Sequence, residues 1–130
     1  MASSVGPSPF GRPGTVLVSA GRHRHVRLWD ARSGPKPMHE LIIDARDFAL
    51  TCIKVHAPSL TAFVGDAAGY VSRVDLRSMR VCRAYHGAAG SVRSISVHPR
   101  LPFVAAATLD RSLRVWRADT GDLVRRVYLK

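Results

Sequence analysis

Cysteine, lysine and acidic residues are scarce in this sequence, and long apolar runs are missing. The two cysteines, Cys52 and Cys82, are too few for a disulfide framework or a zinc site. Both fall in predicted strands, where a free cysteine acts as a small buried apolar residue, so we expect a reducing compartment. No apolar run reaches the roughly 18 residues of a membrane-spanning helix, and a secretory leader pattern is lacking.

Basic residues outnumber acidic residues by about two to one. Lysine and arginine total 20 against nine acidic residues, which gives a formal net charge of +11, and arginine supplies nearly all of the excess. A positive surface favours polyanions, nucleic acid first, and the planar guanidinium suits phosphate. A compositional bias toward arginine, with the charge simply solvated, explains the same counts, so both interpretations stay open.

The residues do not form a catalytic constellation. His23 and His25 flank Arg24, but no further ligand has the spacing that a metal site needs, which favours solvated loop histidines. The glycines at Gly87 and Gly90 precede a predicted strand rather than a helix, so they lack the helix N-terminus of a phosphate-binding loop. We expect a protein that is not an enzyme and uses no cofactor or metal.

Residues 90–116 predict three short strands in a row. Ser91–Val97 and Ser112–Trp116 alternate apolar with small or polar residues, and Phe103–Thr108 is a continuous apolar run. Prolines break the chain between the first two strands. A fourth strand, Leu123–Leu129, follows a turn, so the region predicts a four-stranded antiparallel sheet.

The same pattern recurs twice upstream. His56 and His98, each before a proline-containing turn, lie 42 residues apart, and Asp30 and Asp75 lie 45 apart. Periods of about 40–45 residues with four strands each are typical of β-propeller blades. The upstream strands are predicted at Thr15–Ala20, Val26–Asp30, Met38–Ile43, Ala49–Val55, Thr61–Gly65, Tyr70–Asp75 and Arg80–Tyr85.

These units resemble the blades of WD-repeat propellers, since Trp29-Asp30 is the dipeptide that names the family and ends a third strand. In that pattern, an Asp between the second and third strands joins a Ser or Thr, the Trp and a His in one network. Ala88 stands at the His position of the third unit, so its network is incomplete. Both tryptophans are interpreted as packing residues rather than base-stacking platforms. The predicted structural network comprises Trp29, Asp30, Asp75, Thr108, Asp110 and Trp116.

The resemblance implies an all-β fold of about three blades of a WD-repeat β-propeller, an incomplete and open array in a family whose full ring is expected to have seven blades. Residues 1–13 are predicted to be a disordered lead-in, and 14–130 a partial propeller with blades at about 14–43, 49–85 and 91–129. The first blade shows no recognisable first strand. We expect a piece of a longer propeller or a truncated product. The alternative is a subunit that oligomerises into a ring, and open blade edges would favour self-association.

Several segments carry a closer likeness. They are residues 25–30, 64–66 with Gly69, 75–77, 87–93, 98–99, 109–114 and 127–130. In this order they resemble the nucleolar WD-repeat assembly factors of large-ribosomal-subunit precursors, the Nop-seven-associated type. The resemblance implies a protein of the nucleus and nucleolus, bound to pre-ribosomal particle proteins or rRNA during rRNA processing and released by an AAA-type ATPase. The alternative is a generic WD-repeat scaffold for protein–protein interaction.

The candidate partner-binding or RNA-binding rim follows from the loops that share one face of a propeller. A basic rim suits rRNA phosphate or an acidic protein segment, and an ordinary solvated rim is the alternative. Its predicted members are Arg22, Arg24, His25, Arg46, Asp66, Arg93 and Arg111.

Overall fold

The structure, a computed structural model, describes residues 2–5, 16–21, 23–30, 36–43, 48–86 and 90–129. Over these ranges it has no α-helix, and hence none long and apolar enough to cross a membrane. A short 3-10 turn, Ala57–Ser59, follows β5. The strands are β1 (Ala2–Val5), β2 (Val16–Ala20), β3 (His25–Asp30), β4 (His39–Ile42), β5 (Leu50–His56), β6 (Thr61–Asp66), β7 (Val71–Asp75), β8 (Arg80–Tyr85), β9 (Val92–Val97), β10 (Phe103–Thr108), β11 (Ser112–Arg117) and β12 (Leu123–Tyr128).

The strands form three four-stranded sheets, each an antiparallel meander in chain order. The first sheet contains β1–β4, the second β5–β8 and the third β9–β12. The first strands of neighbouring sheets contact one another, β1 with β5 and β5 with β9. This arrangement confirms the predicted all-β fold and its three blade-like sheets.

The predicted lead-in is wrong at its start, because Ala2–Val5 forms β1. Ala2 pairs with Ser19 and Val5 with Val16, so β1 supplies the first strand of the first sheet. A strand ladder uses backbone groups that every non-proline residue carries, and β2 would otherwise leave one edge unpaired. Residues 6–13 of the predicted lead-in lie outside the described residues.

Two apolar clusters fill the seams between the sheets. At the first seam, Val18 and Leu28 of the first sheet pack with Val74 of the second. At the second seam, Tyr85 of the second sheet packs with Trp116 of the third. The middle sheet is covered on both faces, which is why all six residues of β6 are buried although strand side chains alternate. The outermost strand of the third sheet, β12, has all six residues exposed.

The second seam is also held by hydrogen bonds from side chains to backbone carbonyls. Tyr85 Oη donates to Ala118 O at 2.6 Å, and Arg73 Nη1 donates to the same oxygen at 3.3 Å. Arg83 Nη1 reaches Thr120 O at 2.7 Å. Burial raises the pKa of Tyr85, so its hydroxyl keeps the hydrogen that it donates. All three donors come from the second sheet and all acceptors from the loop after β11.

Gly65 sets how closely the second and third sheets approach. A Cβ on Gly65 would lie 2.6 Å from Val92 Cγ1 and 2.8 Å from Cys52 Sγ. We therefore expect Gly65→Ala to lower the unfolding free energy by about 1–3 kcal/mol through overpacking, measured by urea denaturation. Gly21→Ala is the matched control, because a Cβ there has no neighbour within 4 Å. Equal stability of the two variants would contradict the close packing of this seam.

The two cysteines differ in environment. Cys52 is buried as predicted, and this burial raises the pKa of its thiol, which disfavours the reactive thiolate. The prediction that Cys82 is buried is wrong, because it lies exposed on β8. An outermost strand presents much of its surface to solvent, and four of the six residues of β8 are exposed.

Candidate functional site

In the first and the third sheet, an arginine lies at the tip of the hairpin that joins the second and third strands. Arg24 and Arg111 both have φ near 64°, and Gly69 has φ 95° at the same place in the second sheet. This left-handed conformation costs a residue with a Cβ roughly 1–2 kcal/mol and costs glycine little. The chain therefore places arginine in a conformation that favours glycine, at two tips on the same side of the sheets.

Hydrogen bonds tie these tips to the neighbouring connections. Arg24 O accepts from Ile43 N at 2.9 Å, and Arg111 O accepts from Leu129 N at 2.7 Å. In the third sheet, Gly90 packs beside the turn, since a Cβ on it would lie 2.8 Å from Asp110 N. The hairpin tips and the entries to the next sheet thus share one end of the molecule, the rim.

Among the described residues, three of the seven predicted rim residues are arginines at this end. Arg24 and Arg111 occupy the tips, and Arg93 is exposed near the start of β9. Arg22 and Arg46 fall outside the described residues. These three arginines form the described part of the arginine rim.

His25 faces the sheet rather than the tip. Its Nε2 lies 3.4 Å from Glu40 Oε1, and the same carboxylate oxygen accepts from Arg27 Nε at 2.9 Å. Glu40 is the cross-strand partner of Arg27 on β4, which brings the three side chains together on one face of the first sheet. His25 is therefore bound to this charged cluster and does not project from the rim.

Asp66 is not an exposed rim residue, contrary to the prediction. It is 6% exposed, and its Oδ1 accepts from Ala68 N at 2.9 Å and Tyr70 N at 3.0 Å. A carboxylate that accepts from the backbone amides just after it stabilises the turn, and Gly69 completes that turn with its positive φ. The local sequence Asp-Ala-Ala-Gly, a turn pattern, was the available signal for this role.

A buried polar cluster closes the corresponding turn of the third sheet. Asp110 Oδ1 accepts from Ser112 N at 3.0 Å and also from the hydroxyl of Thr108. Arg114, with a side chain 5% exposed, has its Nη2 3.5 Å from Asp110 Oδ2. Thr108 and Asp110 are thus joined as predicted. The predicted network did not include Ser112 and Arg114. The sequence indicates them through the polar residues at every second position after Asp110, since alternate residues of a strand lie on the same face.

Trp116 does not join the Asp110 cluster, so that part of the predicted network is wrong. Its Nε1 donates to His86 O at 3.0 Å, whereas Trp29 Nε1 donates to Ser19 Oγ at 2.8 Å. By register, Ala106 occupies in the third sheet the place that Ser19 has in the first. Since alanine offers no acceptor, Trp116 uses a backbone carbonyl instead. Both indole N–H groups have acceptors within the chain, Trp29 in its own sheet and Trp116 across the second seam, which agrees with their interpretation as packing residues.

Asp30 and Asp75 each end the third strand of a sheet, and their environments indicate a structural role. Asp30 is 5% exposed. Asp75 Oδ1 accepts from Arg77 N at 2.9 Å, which stabilises the turn between β7 and β8. Among the described residues, no group of three or more His, Cys, Asp or Glu side chains could hold a metal ion. The candidate functional surface among the described residues is therefore the arginine rim.

Comparison with known proteins defines the class. The family profile of the WD domain, G-beta repeat, matches residues 79–117, which begin just before β8 and end on β11. The matched repeat thus straddles the second seam. The crystal structure of the WD40 beta propeller domain of Doa1 superimposes with a TM-score of 0.77 over 98% of this chain and 40% of that chain, at 19% identity, which shows the fold. The chain belongs to the WD-repeat family.

Within this class, the chain is similar to WD repeat-containing protein 74. It is 33% identical over 115 residues to the human protein of that name and 32% identical over 117 residues to the bovine one, and each alignment covers 88% of this chain. The chain spans about 30% of the length of these relatives. It is therefore a WD-repeat protein related to WD repeat-containing protein 74.

Proposed function

We propose that this chain is a non-catalytic WD-repeat assembly factor that binds large-ribosomal-subunit precursor particles in the nucleolus. The observation that carries this proposal is the likeness to WD repeat-containing protein 74 along 88% of the chain. It agrees with the ordered segments that resemble the Nop-seven-associated assembly factors. Under this proposal an AAA-type ATPase releases the protein from the particle.

The arginine rim is the proposed contact with the particle. Arg24, Arg93 and Arg111 lie at one end of the sheets, and two of them occupy hairpin tips in a left-handed conformation. Arginine side chains at projecting tips can reach phosphate oxygens without entering a groove, and such contacts fix position rather than read sequence. We therefore propose rRNA phosphate as the main rim ligand, with an acidic segment of a particle protein as the alternative ligand.

A generic WD-repeat scaffold is the second candidate function. The general WD-domain match at residues 79–117 favours it. The two functions differ in their response to salt, since RNA binding weakens steeply between low and moderate salt and an apolar protein contact does not. Affinity purification of the tagged chain from its own cells, followed by identification of the RNA and proteins recovered, tests the proposal directly. Recovery of protein partners without large-subunit precursor rRNA would favour the scaffold.

The double variant Arg24→Gly/Arg111→Gly should stay folded and lose particle association. Glycine removes the charge and relieves the cost of the left-handed conformation, which offsets the lost side-chain contacts, so the unfolding free energy should change by less than about 1 kcal/mol. The slope of log affinity for single-stranded RNA against log salt should become shallower by about 0.7 for each phosphate group that the variant no longer binds. Arg77→Ser, exposed at the opposite end, is the charge control. An unchanged slope in the double variant would exclude the arginine rim as the RNA-binding surface.

A further inference from the structure

A small pocket opens at the second seam, at the end of the sheets opposite the arginine rim. Its volume is about 180 Å³, and both the second and the third sheet contribute to its walls. It lies beneath the carbonyl acceptors of the loop after β11. Its walls include His56, Phe63, Arg73, His98, Leu101 and Asp119.

Arg73 lines this pocket, and one of its nitrogen atoms, Nε, lacks a hydrogen-bond partner among the described residues. Its Nη1 donates to Ala118 O, and its guanidinium carbon lies 5.8 Å from the centre of the Phe63 ring. Its Nε is buried and has no hydrogen-bond partner in the part of the chain that the structure describes. A buried charged donor without an acceptor is unfavourable, so an acceptor supplied from outside the chain would stabilise it.

The charges around Arg73 leave the pocket positive. Asp119, the acidic residue among the described pocket walls, already accepts from Arg117 Nε at 2.9 Å and Nη2 at 2.7 Å. These bonds hold the pKa of Asp119 at about 2, so its carboxylate is ionised and engaged with Arg117. Arg83 lies directly across from Arg73 on β8, and Arg100 is exposed among the lining residues. Like charges on neighbouring strands repel, which favours an anion between the sheets.

His98 adds a second donor. Its Nδ1 accepts from Arg100 N at 3.1 Å and from Leu101 N at 2.8 Å. A ring nitrogen that accepts carries no hydrogen, so the hydrogen lies on Nε2 and can be donated to a ligand. Leu101 and Phe63 provide apolar walls beside this donor.

We propose that this pocket binds the carboxylate side chain of a glutamate or aspartate in an extended segment of a protein partner. Guanidinium–carboxylate pairing supplies the acceptor that Arg73 lacks, and the apolar walls contact the methylene groups and neighbouring residues of the segment. The volume is below the roughly 300 Å³ of pockets that take drug-sized ligands, which favours one side chain over a nucleotide. This site goes beyond the proposed function and stands whether or not the chain binds a pre-ribosomal particle.

The test uses the full 130-residue chain and two peptides, acetyl-Gly-Leu-Glu-Leu-Gly-amide and the same peptide with Gln in place of Glu. Binding is followed by NMR through the Nε–H of Arg73 and the ring nitrogens of His98. We expect the Glu peptide to bind at least about tenfold more tightly, since hydrogen bonds to charged groups exceed neutral ones by that order. It should also shift both sets of resonances.

Arg73→Gln should abolish the preference for the Glu peptide, whereas Arg125→Gln, exposed on β12, should keep it. Because Arg73 also supports the seam, the comparison of the two peptides on the unmodified chain gives a result even if Arg73→Gln fails to fold. Equal affinity for both peptides, or an unshifted Arg73 Nε–H, would overturn the proposal. Displacement of the Glu peptide by oligouridylate with larger shifts of the same resonances would also overturn it and assign the pocket to RNA phosphate.

Discussion

Trp116→Ala should lower the unfolding free energy by about 3–5 kcal/mol, which is a large part of the 5–15 kcal/mol typical of whole domains. Trp116 is 1% exposed at the second seam, and its ring centre lies 5.8 Å from that of Tyr85. Truncation leaves a cavity between two sheets and removes the donor to His86 O. Urea denaturation followed by far-ultraviolet circular dichroism measures the loss.

Two further variants separate packing from hydrogen bonding in this prediction. Trp116→Phe keeps an aromatic ring but removes the N–H, so we expect a smaller loss than for alanine. Trp29→Ala changes a partly buried tryptophan outside the two buried clusters and should cost less than half as much as Trp116→Ala. If both tryptophan-to-alanine variants lose the same stability, the second seam is not the main source of this energy.

Asp110→Ala should cost about 3–5 kcal/mol, because it leaves the guanidinium of Arg114 buried without its carboxylate. It also removes the acceptor for Ser112 N and the Thr108 hydroxyl. Replacing both charged partners by apolar residues is far less costly than removing one. The double variant Asp110→Ala/Arg114→Leu should therefore recover at least half of the loss.

A double-mutant cycle measured by urea denaturation tests the coupling between these two residues. Asp110→Asn is the matched control, since it keeps an acceptor oxygen for Ser112 N and removes the charge. We expect its stability to lie between those of the parent and Asp110→Ala. Additive effects of Asp110→Ala and Arg114→Leu would show that the two side chains do not stabilise each other.

Of the twelve strands in the described part of the chain, the sequence predicted eleven near their observed places, because hydrophobic alternation and turn residues mark strands that bury a face. It missed β1, whose residues Ala-Ser-Ser-Val carry little of that pattern. This strand depends on a partner, since the backbone of β2 offers the pairing edge. Hydrophobic alternation in a sequence indicates which strands bury one face. It reveals that a strand pairs with a neighbour only where that strand also buries a face.

The position of a site residue was predictable from the sequence where a single turn determines that position. The predicted rim included Arg24 and Arg111 in loops on one face, and the structure has both at hairpin tips on the same side of the sheets. Asp66 is not an exposed rim residue because its side chain is buried in the turn. The sequence contains no direct measure of whether a single polar residue is buried. The pocket around Arg73 was missed, because its walls come from separate segments of two sheets, between His56 and Asp119. Hydrophobic alternation alone does not specify which pairs of sheets meet.

The loop after β11 is recognised by the second sheet through its main chain, at Ala118 O and Thr120 O. Every amino acid carries such a carbonyl, so substitution at Thr120 keeps the oxygen that Arg83 requires. The acceptors of these three hydrogen bonds are consequently independent of side-chain identity, whereas the apolar packing of the seam is not. A copy of this repeat would carry the same carbonyl groups, so changes in its side chains would leave these acceptors in place.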